Sequence, residues 1–371
     1  MDECNILNTL KKNNIVLENR FVRPIIISGP CSAESREQMI NTAMELSQMG
    51  IGVFRAGIWK PRSRPGSYTG SGSIGLKWLK EVKQKTGMLT AVEVAKPSHV
   101  YEAISNDVDI LWIGARTTVN PFVIQELAET LKGSEVHVLI KNPINPDLEL
   151  WIGAVERFLK AGIRNIGVIH RGFSLYKRKK YRNEPLWQIP LDFKSRFPEI
   201  PIFCDPSHIC GNPNLMLEIA QKSLDLNFDG LMIESHINPP KALSDAKQQI
   251  TPAELENLLL KLKLRNQDTQ FSNSLSTLRK MIDKKDKELM KILNERMKIV
   301  EEIGKLKKEN NILILQNDRW EKILSNMMTL GRNKGMNNEF VESVFKLIHQ
   351  ESIYVQSLLM NEEECSKIEI N

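Results

Sequence analysis

Eight short apolar runs, each separated from the next by about one helix and two loops, constrain this chain more than any other feature. They are Pro24 to Ser28, Ile51 to Phe54, Leu89 to Val94, Asp109 to Ile113, Val136 to Ile140, Asn165 to Ile169, Pro201 to Cys204 and Gly230 to Ile233. No intervening segment has the two-residue turn of a hairpin, so neighbouring runs are predicted to pair in parallel through helical crossovers. The runs are continuously apolar, as strands covered on both faces are. Eight βα units on roughly 250 residues suit a closed (β/α)8 barrel, a TIM barrel, with an open doubly wound sheet as the alternative. The predicted class is α/β, with the barrel over residues 1–262.

Beyond residue 262 the chain becomes rich in Lys, Glu, Leu and Met and has no Pro. A linker is predicted at 263–274 and an all-α three-helix domain at 275–371. Leu275, Leu278, Ile282, Leu289, Ile292, Leu293, Ile299, Val300 and Ile303 recur at three and four, which reads as one helix of about 35 residues. Such a helix needs a partner, as a coiled coil or an interlocked helical dimer. Two more helices are predicted, Leu315 to Leu330 and Asn338 to Met360, separated by Gly331 to Gly335.

The 371 residues are 26% charged and 41% hydrophobic, an ordinary globular mixture that excludes wholesale disorder. No run approaches the roughly 18 apolar residues a membrane helix needs, and the start lacks the basic and apolar regions of a secretory signal. The expected address is cytoplasmic, with no membrane partner. About 20 residues precede the first run, so no separate N-terminal regulatory domain is expected. Five cysteines, without a C-x-x-C pair, argue against a disulfide framework. The excess of 51 Lys and Arg over 45 Asp and Glu, a net +6, permits an anionic partner without naming one.

Nearly every run is followed by a polar or charged residue: Cys31, Arg55, Glu93, Arg116, Lys141, His170 and Arg171, Asp205 and His208, Glu234 and His236. In a barrel these converge on one mouth. Arg55, Lys60, Arg62, Arg116, Lys141 and Arg171 would repel one another there unless multiply charged anions sat among them, which implies phosphorylated substrates. Lys60-Pro61-Arg62-Ser63 offers an ammonium, a guanidinium and a hydroxyl on a Pro-stiffened loop that suits a phosphate. Cys31, His208, Glu234 and Asp245 supply one thiolate, one imidazole and two carboxylates, a mixture suited to Mn²⁺, Fe²⁺, Co²⁺ or Zn²⁺. The five cations of Lys177 to Arg182 read as a solvated lid face, with no nucleic-acid partner.

Gly29-Pro30-Cys31-Ser32, Phe54-Arg55-Ala56-Gly57, Lys60-Pro61-Arg62-Ser63, Gly114-Ala115-Arg116, Lys141-Asn142-Pro143, His170-Arg171-Gly172, Asp205-Pro206-Ser207-His208 and Ala242-Leu243-Ser244-Asp245 resemble, in order, the signature segments of 3-deoxy-D-arabino-heptulosonate 7-phosphate (DAHP) synthase. The resemblance is to the compact branch, which shares its barrel with 3-deoxy-octulosonate 8-phosphate synthase. In that sister enzyme Asn stands in place of the Pro-Arg pair, so Lys60-Pro61-Arg62 favours a four-carbon aldose phosphate. Ser63 departs from the usual Thr but keeps the hydroxyl. The resemblance implies condensation of phosphoenolpyruvate with erythrose 4-phosphate. A metal, Mn²⁺ first among the candidates, would be held by Cys31, His208, Glu234 and Asp245. Arg55, Lys60, Arg116, Lys141 and Arg171 would hold phosphoenolpyruvate, Arg62 and Ser63 the erythrose 4-phosphate phosphate, and Glu93 would position a water or hydroxyl.

Arg279 with Ile282, Asp283 and Asp286, then Arg296, Gly304 with Lys307, Arg319, Ser352 and Gln356, resemble the all-helical class of chorismate mutase. On spacing alone the seam cations either snorkel or meet an anion. The resemblance implies an intertwined homodimer in which Arg279 crosses to the partner's pocket. Arg279 and Arg296 would clamp the carboxylates of chorismate. Lys307 and Gln356 would donate to the ether oxygen on the way to prephenate, with Arg319 and Ser352 completing the site. Gln316 and Trp320 stand where acidic residues often meet the substrate hydroxyl. The expected whole is a bifunctional shikimate-pathway enzyme whose helical domain also dimerises and regulates the barrel; the alternative is a synthase with a non-catalytic sensor tail.

Overall fold

The structure is a computed structural model that describes residues 24–61, 66–176, 180–265 and 272–361. The chain divides into two compact units, residues 1–266 and 267–371.

In the first unit β1 (Ile25–Gly29), β2 (Val53–Ala56), β3 (Leu89–Val94), β4 (Ile110–Ile113), β5 (His137–Lys141), β6 (Ile166–His170), β7 (Ile202–Cys204) and β8 (Gly230–Glu234) form a closed barrel in sequence order. Every pairing is parallel, and β1 closes on β8 from Ile25 opposite Gly230 to Gly29 opposite Glu234. The predicted barrel is present, and the doubly wound alternative is not. Several strands run past the apolar residues that mark them. Arg55 and Lys141, predicted to follow β2 and β5, are inside the strands, because the ladder continues as long as backbone groups find partners, whatever the side chain.

Alternation along the strands builds two cores. Ile25, Ile27, Val53, Ala91, Ile110, Trp112, Leu139, Ile169, Phe203 and Met232 fill the barrel interior. Ile26, Phe54, Val92, Leu111, Val138, Val168 and Leu231 face the helices. Helix Leu148–Lys160 shows how the outer layer is specified. The Asp147 side chain accepts from Leu150 N–H at its start, and Trp151, Val155 and Phe158 recur at three and four on its buried face. Each such large side chain contributes roughly 2 to 3 kcal/mol of apolar burial. The last barrel helix, Pro252–Lys261, opens on a reciprocal capping box between Thr251 and Glu254.

Among the described residues the second unit has three helices, Ser272–Glu309, Asn317–Asn333 and Asn338–Asn361. The first starts inside the stretch predicted as linker. Gly331, predicted as a separator, lies within the middle helix: a Cβ there would strike Val341, so it marks close packing of middle and last helices, not a break. The long helix packs along the last one. Val300 and Val341 are buried, whereas Leu278, Met281, Ile282, Leu289, Met290 and Ile292 are each more than half exposed. Among the described residues no helix is long and apolar enough to cross a membrane.

Candidate active sites

The barrel site follows from the strand alternation. Two residues past the inward-facing Val53, Ala91, Leu139, Ile169, Phe203 and Met232 stand Arg55, Glu93, Lys141, Arg171, Asp205 and Glu234, so the inner face turns from apolar to charged within one step of the pleat. On β4 the corresponding position is Gly114, where a Cβ would collide with the Glu93 carboxylate. One cavity is lined by Arg55, Lys60, Glu93, Arg116, Lys141, Arg171, His208 and Asp245. Arg62 and Ser63 lie outside the described residues.

Of the four expected metal ligands, Cys31 Sγ and one carboxylate oxygen each of Glu234 and Asp245 lie within 4.8 Å of one another. Cys31 Sγ is 3.5 Å from Asp245 Oδ2. His208 stands outside this compact trio, with Nε2 3.8 Å from Glu234 Oε1 and Nδ1 2.8 Å from Asp205 Oδ2. Glu234 Oε1 is buried without a hydrogen-bond partner. An acceptor without a hydrogen bond, beside a thiol, an imidazole and a second carboxylate, fits a borderline divalent transition ion. In the protein alone the Cys31 thiol is pushed up to about 12, first by burial and then by the nearby Glu234 charge. A bound dication would invert that balance. Burial also works against an ionised Asp245, but His208, Arg182 and Lys60 outweigh it and hold its carboxyl well below the usual range.

The cations are fixed by partners beside the trio. Arg55 lies over Trp112 at 4.6 Å and reaches Glu234 Oε1 at 3.4 Å. Lys60 Nζ donates to Cys31 O at 3.0 Å and sits 3.3 Å from Cys31 Sγ. Lys141 Nζ pairs with the buried Asp205 at 2.7 Å. Arg171 is lowered to about 10, chiefly by burial and, among its charged neighbours, by Arg182 and Arg116. That mutual repulsion makes the cavity ready for an anion.

Three placements differ from the sequence reading. His170 turns away from the mouth into the helix layer, against Phe173, Trp187 and Phe228, since neighbouring strand residues point to opposite faces. His236 is also off the cavity, facing Glu34 Oε2 at 3.5 Å. Arg182 keeps about a third of its side chain exposed but turns its head group into the mouth, where Nη1 reaches Asp245 Oδ1 at 3.1 Å and also meets Gln248 Oε1. Residues 177–179 lie outside the described residues. Asp205 is at the mouth, where the sequence reading put it without a role, and Arg182 and Gln248 are site residues that reading omitted.

In the helical unit Arg296 Nη1 donates to Ser352 Oγ at 2.7 Å, and Gln356 Nε2 to Ser352 O at 3.0 Å. Gln356 Oε1 is buried and unpartnered. Lys307, about three turns of helix beyond Arg296, donates to Ile314 O at 2.6 Å. Arg319 is exposed on the middle helix. Arg279 is exposed on the long helix, and helical rise puts it about 25 Å along the axis from Arg296. Trp320 stacks on His349, ring centroids 3.9 Å apart.

A model of the DAHP synthetase I family matches residues 12–270. The chain belongs to that family. A second model, chorismate mutase type II, matches residues 278–357, so both matched domains come from enzyme families. Phospho-2-dehydro-3-deoxyheptonate aldolase of Thermotoga maritima is 31% identical over 225 residues, 61% of this chain and 64% of that protein. The chain therefore spans a little under two thirds of that relative. The bifunctional chorismate mutase/prephenate dehydratase of Buchnera aphidicola is 35% identical over 89 residues, 24% of this chain and 23% of that protein. A crystal structure of the Thermotoga maritima enzyme, there called DAHP synthase, superposes with a TM-score of 0.57 at 28% identity, covering 65% of this chain and 70% of that one.

Proposed function

We propose that the barrel condenses phosphoenolpyruvate with erythrose 4-phosphate and water to give DAHP and phosphate. The helical unit separately rearranges chorismate to prephenate. The observation that carries the reading is the juxtaposition in one mouth of the Cys31, Glu234 and Asp245 trio, His208 beside it, with Arg55, Lys60, Arg116, Lys141 and Arg171. The bound ion, Mn²⁺ by preference, would supply Lewis-acid polarisation of the aldehyde carbonyl. The chain's own groups do the rest. Arg116, Lys141 and Arg171, with Arg55 and Lys60, bind the phosphate and carboxylate of phosphoenolpyruvate and hold its C3 toward the aldehyde. They face the charge that grows as water adds to C2, so they act more on rate than on affinity. Glu93, 3.9 Å from Lys60 Nζ, is placed to orient that water. Arg62 and Ser63 take the distal phosphate of erythrose 4-phosphate.

In the helical unit Arg296, Lys307 and Gln356 offer donors without a nucleophile, which suffices for a pericyclic rearrangement. The unit assembles as a homodimer, the partner's copy of the long helix covering the exposed apolar face and bringing its Arg279 to the pocket. Control of the barrel by a ligand of the helical unit belongs to the same reading, and a synthase rate unmoved by saturating prephenate would remove it.

The deciding test gives metal-stripped full-length protein phosphoenolpyruvate and erythrose 4-phosphate, with and without Mn²⁺. Phosphate release that needs both substrates and the ion supports the reading, and metal-independent turnover overturns it. The second reading, a synthase with a non-catalytic tail, is favoured by Gln316 and Trp320 standing where the resemblance expects acidic residues, with Trp320 stacked on His349, and by the tie of Lys307 to Ile314 O. Absence of prephenate formation by the wild-type chain would establish it.

A further inference from the structure

We infer that Arg182 and Gln248 form a relay that holds one oxygen of each acidic ligand outward and thereby aims the other at the ion; this rests on the metal reading above. Asp245 Oδ1 is taken by Arg182 Nη1 at 3.1 Å, leaving Oδ2 beside Cys31 Sγ at 3.5 Å. Glu234 Oε2 accepts from Gln248 Nε2 at 2.7 Å, leaving Oε1 without a hydrogen bond, 3.4 Å from Arg55 Nη1 and 3.8 Å from His208 Nε2. The two outward ties are joined, since the same Arg182 nitrogen donates to Gln248 Oε1. That donation fixes the amide, so its NH₂ must face Glu234. A guanidinium on one side and a carboxylate on the other leave the Gln248 side chain one satisfied orientation.

The scaffold around the relay is built to keep it there. Gly211 has φ +63°, and a Cβ on it would strike the Arg182 stem, so this glycine is the space through which the side chain reaches the mouth. Asp245 has φ +48°, a left-handed conformation that disfavours a residue with a Cβ. Its loop is tied down on both sides of that bend. Leu243 N–H donates to Glu34 Oε1 at 2.8 Å, and Gln249 Oε1 accepts from Cys31 N–H at 2.9 Å. Adjacent amides thus serve different ligands: Gln249 anchors the Cys31 backbone, and Gln248 orients Glu234. Arg182 and Gln248 touch neither ion nor substrate in this scheme and are positioning residues.

The test is metal binding by the full-length protein, read without turnover. Mn²⁺ is titrated and its free fraction counted by electron paramagnetic resonance, and Co²⁺ is followed by absorption. Arg182→Gln and Gln248→Met are each expected to weaken Mn²⁺ binding by about 10- to 100-fold, the scale of lost support behind a ligand. The double variant should bind no more weakly than the weaker single one, because a broken relay cannot be broken twice. With Co²⁺, the thiolate charge-transfer band should persist in both variants while the visible ligand-field bands shift. Unchanged affinity and unchanged bands overturn the proposal, and so do losses that simply multiply in the double variant. Failure of the metal reading itself shows earlier and separately, as a wild-type protein whose Co²⁺ spectrum is the same as that of Cys31→Ala.

Discussion

In the barrel Trp112, Trp151, Phe158 and Phe193 are fully enclosed, and the charged mouth stands on that finished core. In the long C-terminal helix the apolar residues Leu278, Met281, Ile282, Leu289 and Ile292 face solvent, and the candidate pocket cations stand on a scaffold that a single chain leaves open. The barrel can therefore preorganise Arg55 or Lys141 through contacts within one protomer. On the proposed reading the helical pocket takes a second copy both to seal its surface and to supply Arg279. One unit should behave as a property of the chain, the other as a property of an assembly.

The largest expected effect separates the two chemistries. Stripping the divalent ion, or replacing Cys31 by Ser, should lower DAHP formation by about 10³-fold or more, since the Lewis acid is lost outright. Prephenate formation in the same samples should stay within twofold. If both activities fall together, the units are not independent and the comparison breaks. The reciprocal change, Lys307→Ala, should lower prephenate formation by about 10² to 10³-fold, the scale for removing one donor at a developing charge. Phosphate release by the barrel should hold. Measuring both products from each preparation decides the matter.

A smaller effect tests the open scaffold. Ile292→Glu places a charge on the exposed face and should shift the protein toward monomer in sedimentation at micromolar concentration. Prephenate formation should drop by about tenfold or more, because the partner's Arg279 leaves with the partner, while the barrel keeps its melting temperature. A variant that remains self-associated with full mutase activity would show that this face is not the contact.

The contrast also accounts for what was legible in the sequence. Strand positions were readable to within one or two residues because both faces of a parallel barrel strand are apolar. The ends were not, since Arg55 and Lys141 continue the ladder with charged side chains. Cys31, Glu234 and Asp245 were readable as donors, and the fold brings them together. Arg182 and Gln248 were not, because their ties join the loops after β6 and β8 across 66 residues of sequence. The five-cation run hid Arg182, because its cations were read together as one solvated face. The glycine at 211 carries a trace of it, though a lone glycine serves equally in a tight turn or a helix end. Gly331 misled in the opposite sense: glycine breaks helices often enough that its use as a contact point with Val341 had to be seen.

His170 provides the finest test of how far the barrel core is closed, and alternation could have placed it correctly. It follows inward-facing Ile169 and precedes Arg171, so it must face outward, into the cage of Phe173, Trp187 and Phe228. Burial, helped by the Arg171 charge, lowers it to about 3, against 6.5 in an open chain. Between those values the unfolded state binds a proton that the folded state refuses, so stability is retained above about pH 6.5 and lost as pH falls toward 3. The slope from this one group approaches about 1.4 kcal/mol per pH unit. His170→Phe removes the proton acceptor while keeping an aromatic ring in an aromatic cage. It should leave stability at pH 7.5 within about 1.5 kcal/mol of wild type. Denaturant unfolding at pH 7.5 and pH 5.0 should show a loss on acidification smaller in the variant by about 2 kcal/mol, after the 1.4 kcal/mol per unit slope. Equal losses in the two proteins would mean that the ring is reached by water at acid pH, and that the helix layer over β6 opens well before the barrel unfolds.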